Sequence, residues 1–199
     1  VVNSTAVNDA YRFLREYDSV LYSPVIGYFS LFSGSDGIER EMNNYLSGQS
    51  SAQFFEQINA LLDGTPVTGA AVELTIDPDV QRAAWDALGN RKGAVVAIEP
   101  ATGRILAMVS KPTFDANVLA EHLYGPVTDA YRTYAEDEDQ PLVNRAIAGD
   151  LYHPGSTFKL VVAAAALESG EYTASSAFEN LDKYRLPGTS VYVKNSSGT

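Results

Sequence analysis

Tyr152-His153-Pro154-Gly155-Ser156-Thr157-Phe158-Lys159 sets a hydroxyl and an amine three residues apart. On a helix, Ser156 and Lys159 at i and i+3 share a face, with Cβ atoms about 5–6 Å apart. A lysine side chain is long enough to bring its amine to the serine hydroxyl. That pairing of a nucleophile with a base is the smallest unit able to run covalent acyl transfer.

The flanks predict where the helix begins and how it lies. Pro154 is tolerated at a helix entrance and not inside one. Gly155 allows a bend that a Cβ would block. Leu160-Val161-Val162-Ala163-Ala164-Ala165-Ala166-Leu167 follows, apolar on every side, a pattern that predicts a buried helix capped by Gly170. Burial would lower the lysine pKa, as a general base requires, and the helix N-terminus would favour negative charge developing near Ser156. Ser-x-x-Lys by itself is a common pairing on solvated helix faces. Here it occurs once, between Pro-Gly and an alanine-rich apolar run.

Pro154-Gly155-Ser156-Thr157-Phe158-Lys159 resembles the active-site signature of the class B penicillin-binding proteins, the bacterial peptidoglycan transpeptidases; Ser-x-x-Lys is shared with the β-lactamases. Three further stretches carry the same resemblance. Val25-Ile26-Gly27-Tyr28, Gly37-Ile38-Glu39 and Asn44-Tyr45-Leu46-Ser47-Gly48 are similar to the N-terminal pedestal module of that class. Leu74-Thr75-Ile76-Asp77, Gln81 and the run from Val95 to Gly103 resemble the opening of its catalytic domain, and Asn144-Arg145-Ala146 leads towards the serine motif as in the family. The implied fold class is α+β. A pedestal over residues 1–69 precedes the first part of a penicillin-binding, β-lactamase-like transpeptidase domain over residues 70–199, an antiparallel sheet with helices.

Composition is compatible with that and excludes other classes. The 199 residues are 45% hydrophobic and 20% charged, enough for one or two globular domains. A net charge of -11 disfavours nucleic acid and anionic membrane surfaces, which call for basic patches. Absence of cysteine removes thiol nucleophiles, disulfides and zinc-thiolate sites. Only His122 and His153 could serve a Ser-His-Asp triad, and neither stands in a supporting motif. No run of about 20 apolar residues occurs. The chain opens at Val1-Val2-Asn3 without Met, so a preceding segment is expected. The resemblance implies that this segment is a membrane anchor, which would place the protein on the extracytoplasmic face of the bacterial cell membrane.

Taken in order, residues 1–16 predict an amphipathic helix with Ala10, Phe13 and Leu14 on one side. Val25 to Phe32 reads as a strand, and Asp36 with Glu39 has capping-box spacing for a helix reaching Leu46. A short helix is expected around Phe54 to Leu62, inside a hinge over residues 49–69. Ala71 to Ile76 alternates like a strand. Asp77-Pro78 gives an N-cap and a first-turn proline for a helix from Val80 to Leu88. Gly93 to Ser110 reads as a hairpin turning at Pro100-Ala101-Thr102-Gly103. Residues 112–150 read as loop, with Glu136-Asp137-Glu138-Asp139 as a solvated acidic tip and not a metal site. Extended pieces are expected between Tyr184 and Val193.

The resemblance assigns Ser156 as the nucleophile, its backbone N–H as half of an oxyanion hole, and Lys159 as the base. It implies no metal and no cofactor. Its substrates are peptidoglycan stem peptides, β-lactams would acylate Ser156, and a membrane-embedded glycan polymerase and other cell-wall proteins are the implied partners. The family's Ser-x-Asn and Lys-(Ser/Thr)-Gly motifs are absent after Ser156, so Ser156 is expected beside an incompletely lined cleft. A D,D-carboxypeptidase or β-lactamase of the same fold, and a non-catalytic penicillin sensor or scaffold, are the alternatives. The pedestal argues against the hydrolases, and deacylation rate separates all three.

Overall fold

The computed structural model describes residues 1–65, 69–149, 152–179 and 181–194. They fall into two compact units, residues 1–151 and 152–199.

The first unit opens with an antiparallel hairpin, β1 (Val2–Ala6) and β2 (Phe13–Tyr17), where the sequence predicted a helix. The turn explains the difference. Asp9 accepts the backbone N–H groups of Tyr11 at 2.9 Å and Arg12 at 3.1 Å, and Arg12 takes φ 69°, so the side chain of Asp9 organises a tight reversal in place of a helical turn. β2 is then held from the side by Asn117, whose amide exchanges two 2.9 Å hydrogen bonds with the Tyr17 backbone as a neighbouring strand would.

The apolar stretch after Tyr22 is not one strand. Pro24 sits in the first turn of α1 (Ser23–Ile26), and only Phe29–Ser30 (β3) pairs, with Gly34–Ser35 (β4). Between them Gly27 has φ 75°, and a Cβ there would lie 2.0 Å from the carbonyl oxygen of Asp36, so no other residue fits. α2 (Gly37–Glu41) and α3 (Asn43–Leu46) are separated at Met42. Asp36 is the N-cap residue of α2 but makes no side-chain cap, and Glu39 turns inward to Arg15 Nε at 2.7 Å and to the hydroxyl of Tyr17 at 3.3 Å. The capping-box expectation is therefore corrected. A buried ion pair takes the acid that the box would have used. α4 (Phe54–Asp63) forms as expected and ends at Gly64 with φ 66°.

Ala71 to Ile76 joins no ladder, against expectation. It follows β6 only through Thr75 Oγ1 to the Ile105 carbonyl at 2.7 Å and Asp77 N–H to the Leu106 carbonyl at 2.8 Å. α5 (Pro78–Leu88) carries the predicted cap, Asp77 accepting from Asp79 and Val80 N–H at 2.9 and 3.1 Å. The predicted hairpin is β5 (Gly93–Ile98) with β6 (Ile105–Lys111), in register from Gly93 opposite Lys111 to Ala97 opposite Ala107, after which an irregularity shifts the pairing to Ile98 opposite Ile105. Lys111 Nζ closes the C-terminal end of α5, donating to the Trp85 and Gly89 carbonyls at 2.9 and 2.6 Å.

Residues 112–150 are less loop-like than predicted. They contain α6 (Asn117–Ala120) and the 13-residue α7 (Tyr124–Glu136). Gly125-Pro126 reads as a turn, yet proline in a first turn is compatible with a helix, and Val127 is fully buried on its inner face. These helices complete the core. Tyr17, Ile26 and Tyr28 pack with Phe114, Ala116, Leu119 and Ala120, and the Tyr28 and Phe114 rings meet edge to face at 5.9 Å. The acidic tip is exposed, with Asp139 paired to Lys92 at 3.1 Å. Among the described residues no group of three or more His, Asp or Glu side chains is placed to hold a metal.

The second unit contains a 3-10 turn (Gly155–Thr157), α8 (Phe158–Glu168), and a small hairpin of β7 (Lys183–Arg185) with β8 (Tyr192–Lys194), near the extended pieces expected there. No helix among the described residues is long and apolar enough to cross a membrane.

Candidate active site

Ser156 is the central residue of the 3-10 turn, which passes directly into α8, and Lys159 is the second residue of that helix. The pair therefore lies on one continuous helical segment, as the i, i+3 spacing requires. Gly155 enters the turn with φ 53°, a left-handed conformation that suits glycine. Thr157 Oγ1 donates to the Pro154 carbonyl and ties the turn to its proline. No hydrogen bond among the described residues joins Ser156 to Lys159, and both side chains are exposed.

The surroundings differ from the sequence expectation. α8 is apolar on all sides, yet every one of its residues is exposed except Ala166, which is half-buried. The dry interior predicted for the helix is not formed by the described residues of this unit. A shallow apolar groove of about 400 Å³ runs beside Lys159, lined by Phe158, Val162, Ala163, Ala166 and Phe178. A second groove, about 720 Å³ in the first unit, is lined by Val25, Ile38, Leu74, Met108 and Ile147 among others and includes neither candidate residue.

The approach to the motif is better ordered than its composition suggested. Asn144 Nδ2 donates to the Pro24 carbonyl at 2.7 Å. The Arg145 N–H donates to Ser110 Oγ at 3.0 Å, and Ser110 Oγ donates to the Val143 carbonyl at 3.1 Å. The buried Arg145 guanidinium donates to the carbonyls of Asp139, Gln140 and Val143. Thus Asn144-Arg145-Ala146 is anchored to β6 and to α1. Sequence reasoning quoted the tripeptide but missed its partner Ser110, which nothing in the local pattern marks. Among the described residues neither His122 nor His153 hydrogen-bonds a serine. His153 is exposed, and His122 Nδ1 pairs with Asp9 Oδ2 at 2.5 Å, far along the chain from Ser156.

Residues 93–197 match the family described as the penicillin binding protein transpeptidase domain. The chain belongs to the penicillin-binding protein transpeptidases. Residues 1–72 also match the penicillin binding protein A dimerisation domain. The chain is 38% identical over 201 residues to the peptidoglycan D,D-transpeptidase PbpA of Mycolicibacterium smegmatis, covering 98% of this chain and 40% of that protein. Penicillin-binding protein A from M. tuberculosis, solved as its penicillin G acyl-enzyme complex, superposes with a TM-score of 0.83 at 37% identity, covering 99% of this chain and 46% of that one. Pseudomonas aeruginosa PBP2, solved in complex with WCK 5153, gives a TM-score of 0.69 at 30% identity over 98% of this chain and 44% of its own. This penicillin-binding protein chain thus spans about 40% of the length of the curated relative. A dimerisation domain followed by part of a transpeptidase domain agrees with the pedestal and catalytic opening expected from the sequence.

Proposed function

We propose that the protein containing these residues is a peptidoglycan D,D-transpeptidase with Ser156 as its acylated nucleophile and Lys159 as the base. In this reading Ser156 Oγ attacks the carbonyl carbon of the D-alanyl-D-alanine amide in a stem peptide. Lys159 accepts the hydroxyl proton as the C–O bond forms, and the Ser156 backbone N–H, at a helix start, donates to the oxyanion. The C–N bond then breaks, and D-alanine leaves with the proton carried by Lys159. An amine on a neighbouring stem attacks the ester, which forms the cross-link and restores the Ser156 hydroxyl. Every bond change uses groups of the protein and its two substrates, so the chemistry asks for no metal or cofactor.

The observation carrying this proposal is the placement of Ser156 and Lys159 on one helical segment in a chain that superposes on an acyl-enzyme complex at a TM-score of 0.83. β-Lactams are proposed to acylate Ser156 by the same attack. A boundary at residue 69/70, an N-terminal membrane anchor, an extracytoplasmic location and a membrane-embedded glycan polymerase as partner belong to the same proposal. Labelled penicillin followed by mass spectrometry of the full-length protein tests it. A single adduct on Ser156, slow to hydrolyse and absent from Ser156→Ala, is expected. An adduct on another serine would overturn the assignment, and rapid release of hydrolysed penicillin would favour a hydrolase.

A further inference from the structure

Three side-chain amides from beyond residue 80 reach one short stretch of backbone near the start of the chain. Asn117 Nδ2 donates to the Tyr17 carbonyl at 2.9 Å, Gln81 Nε2 to the Leu21 carbonyl at 2.9 Å, and Asn144 Nδ2 to the Pro24 carbonyl at 2.7 Å. The three carbonyls lie within the residues matching the dimerisation domain, whereas Asn117 and Asn144 stand within those matching the transpeptidase domain. Tyr17 and Ile26, at the two ends of this stretch, also pack into the core with Phe114, Leu119 and Ala120. The backbone of residues 17–24 is thus a fixed rail held by later parts of the chain. Of the three amides, Asn144 stands nearest in sequence to Ser156.

The same side chain shapes the turn that follows it. Asn144 Oδ1 accepts the Ala146 N–H at 3.0 Å, and the Asn144 carbonyl accepts the N–H groups of Ile147 at 3.1 Å and Ala148 at 2.8 Å. Asn144 Nδ2 also meets Met108 Sδ at 3.4 Å. An asparagine that bonds its own backbone two residues on sets an Asx-type reversal. One amide therefore fixes both where this turn sits and how the chain leaves it. Arg145 reinforces the anchor, with its N–H on Ser110 Oγ and its buried guanidinium on the carbonyls of the preceding loop. Ile147 is then 74% exposed, and among the described residues from Ala146 to Pro154 no hydrogen bond reaches back to β6 or α1. Acyl transfer depends on close placement of the nucleophile, and a shift of about 1 Å caused far from the reacting atoms can cost about 10²-fold in rate. We propose that Asn144 is a positioning residue for acyl transfer, tying the start of the segment that carries Ser156 to the dimerisation module through Pro24. It acts through the chain that links it to Ser156, twelve residues on. The inference rests on the reading of Ser156 as the acylated nucleophile.

The test uses the full-length protein and labelled penicillin. The acylation rate constant at saturating penicillin and the half-saturating concentration are measured separately, well below the unfolding temperature of each variant. Asn144→Ser keeps an oxygen able to accept the Ala146 N–H but is too short to reach Pro24. Asn144→Asp keeps the acceptor and sets a carboxylate, with no proton to donate, against the Pro24 carbonyl. Both should lower the rate constant by at least about tenfold, with the half-saturating concentration changed by less than about threefold. Asn117→Ala is the control, since it removes the tie to Tyr17 on the same rail without touching the segment before Ser156. It should lower thermal stability and leave the rate constant within about twofold. Near-normal rate constants in both Asn144 variants, or losses no larger than that of Asn117→Ala, would overturn the proposal. Failure of both Asn144 variants to fold would also overturn it, by assigning Asn144 to stability alone. An adduct on a serine other than Ser156 in the unsubstituted protein would overturn the acyl-transfer reading and this inference with it. An adduct on Ser156 together with unaffected Asn144 variants would remove this inference alone.

Discussion

The side chain of Gln81 grips the backbone of Met108 from both sides, its Nε2 donating to the Met108 carbonyl at 3.0 Å and its Oε1 accepting the Met108 N–H at 2.8 Å. The same Nε2 donates to the Leu21 carbonyl at 2.9 Å, so one fully buried amide joins α5, β6 and the segment before α1. Truncation would leave three backbone groups without partners in a dry site. Gln81→Ala is expected to destabilise the protein by about 3 kcal/mol, at the upper end for ordinary substitutions. Gln81→Glu keeps the acceptor, removes the donor and buries a charge, and it should be at least as damaging. Chemical denaturation of both variants measures this, and a loss below about 1 kcal/mol for Gln81→Ala would refute the linchpin role.

Alkaline pH should weaken the fold through two tyrosines. Burial first, then the neighbouring Glu39 carboxylate, holds the Tyr17 phenol far above its usual pKa. Burial, followed by Tyr131, pushes Tyr28 up to about 12. Both folded values exceed the unfolded phenol value near 10.0, so the stabilising contribution is complete below that pH and is lost as pH rises through the folded values. Between pH about 10 and 12 the unfolding free energy should fall by up to roughly 1.4 kcal/mol per pH unit for each tyrosine. Denaturation curves across that range should show a shallower fall in Tyr17→Phe, and an identical slope in that variant would remove Tyr17 from the explanation.

What was legible in the sequence followed from local chemistry. The Asp77-Pro78 cap, the Gly93 to Ser110 hairpin and the Ser156 helix are each specified by residues within one element or one turn. The misreadings came where a distant partner decides. Glu39 has capping-box spacing, but Arg15 and Tyr17 compete for it across the fold. Residues 1–16 have an apolar pattern that suits a helix, and the Asp9 turn together with Asn117, a hundred residues away, makes them a hairpin. For the candidate site, the placement of Ser156 and Lys159 on one helical segment was legible from their i, i+3 spacing. The burial of α8 was not realised, because hydrophobicity says that a helix requires cover and not which chain segment provides it.

Lys159 should tolerate no replacement that retains its proton. Lys159→Arg keeps the charge and approximate reach of the side chain, but a guanidinium cannot act as a base near neutral pH. In the full-length protein the acylation rate with labelled penicillin should fall by roughly 10²–10⁴-fold, the usual contribution of general-base catalysis. Thermal unfolding should change little, since Lys159 is exposed in this chain. Acylation within a few-fold of the unsubstituted protein would place the base elsewhere.

The 199 residues on their own should not form a competent penicillin site. Phe158, Leu160 and Leu167 of α8 are 53%, 75% and 51% exposed, and the described residues after Tyr152 are exposed apart from Ala166 and Ser176, which are half-buried. Ordering a residue costs about 1–2 kcal/mol of backbone entropy, and a short helix with so little burial has little to offset that. Its fluctuations would move Ser156 and Lys159 relative to each other, and acyl transfer depends on holding them in place. In the isolated 199 residues, the amide hydrogens of α8 should exchange rapidly, while Val109 and its neighbours in β6 stay protected. The polypeptide should bind a hydrophobic dye and take up no labelled penicillin. Hydrogen exchange, dye fluorescence and penicillin labelling test each expectation. Stoichiometric acylation of Ser156 in the isolated 199 residues would show that segments beyond them are dispensable for forming the site.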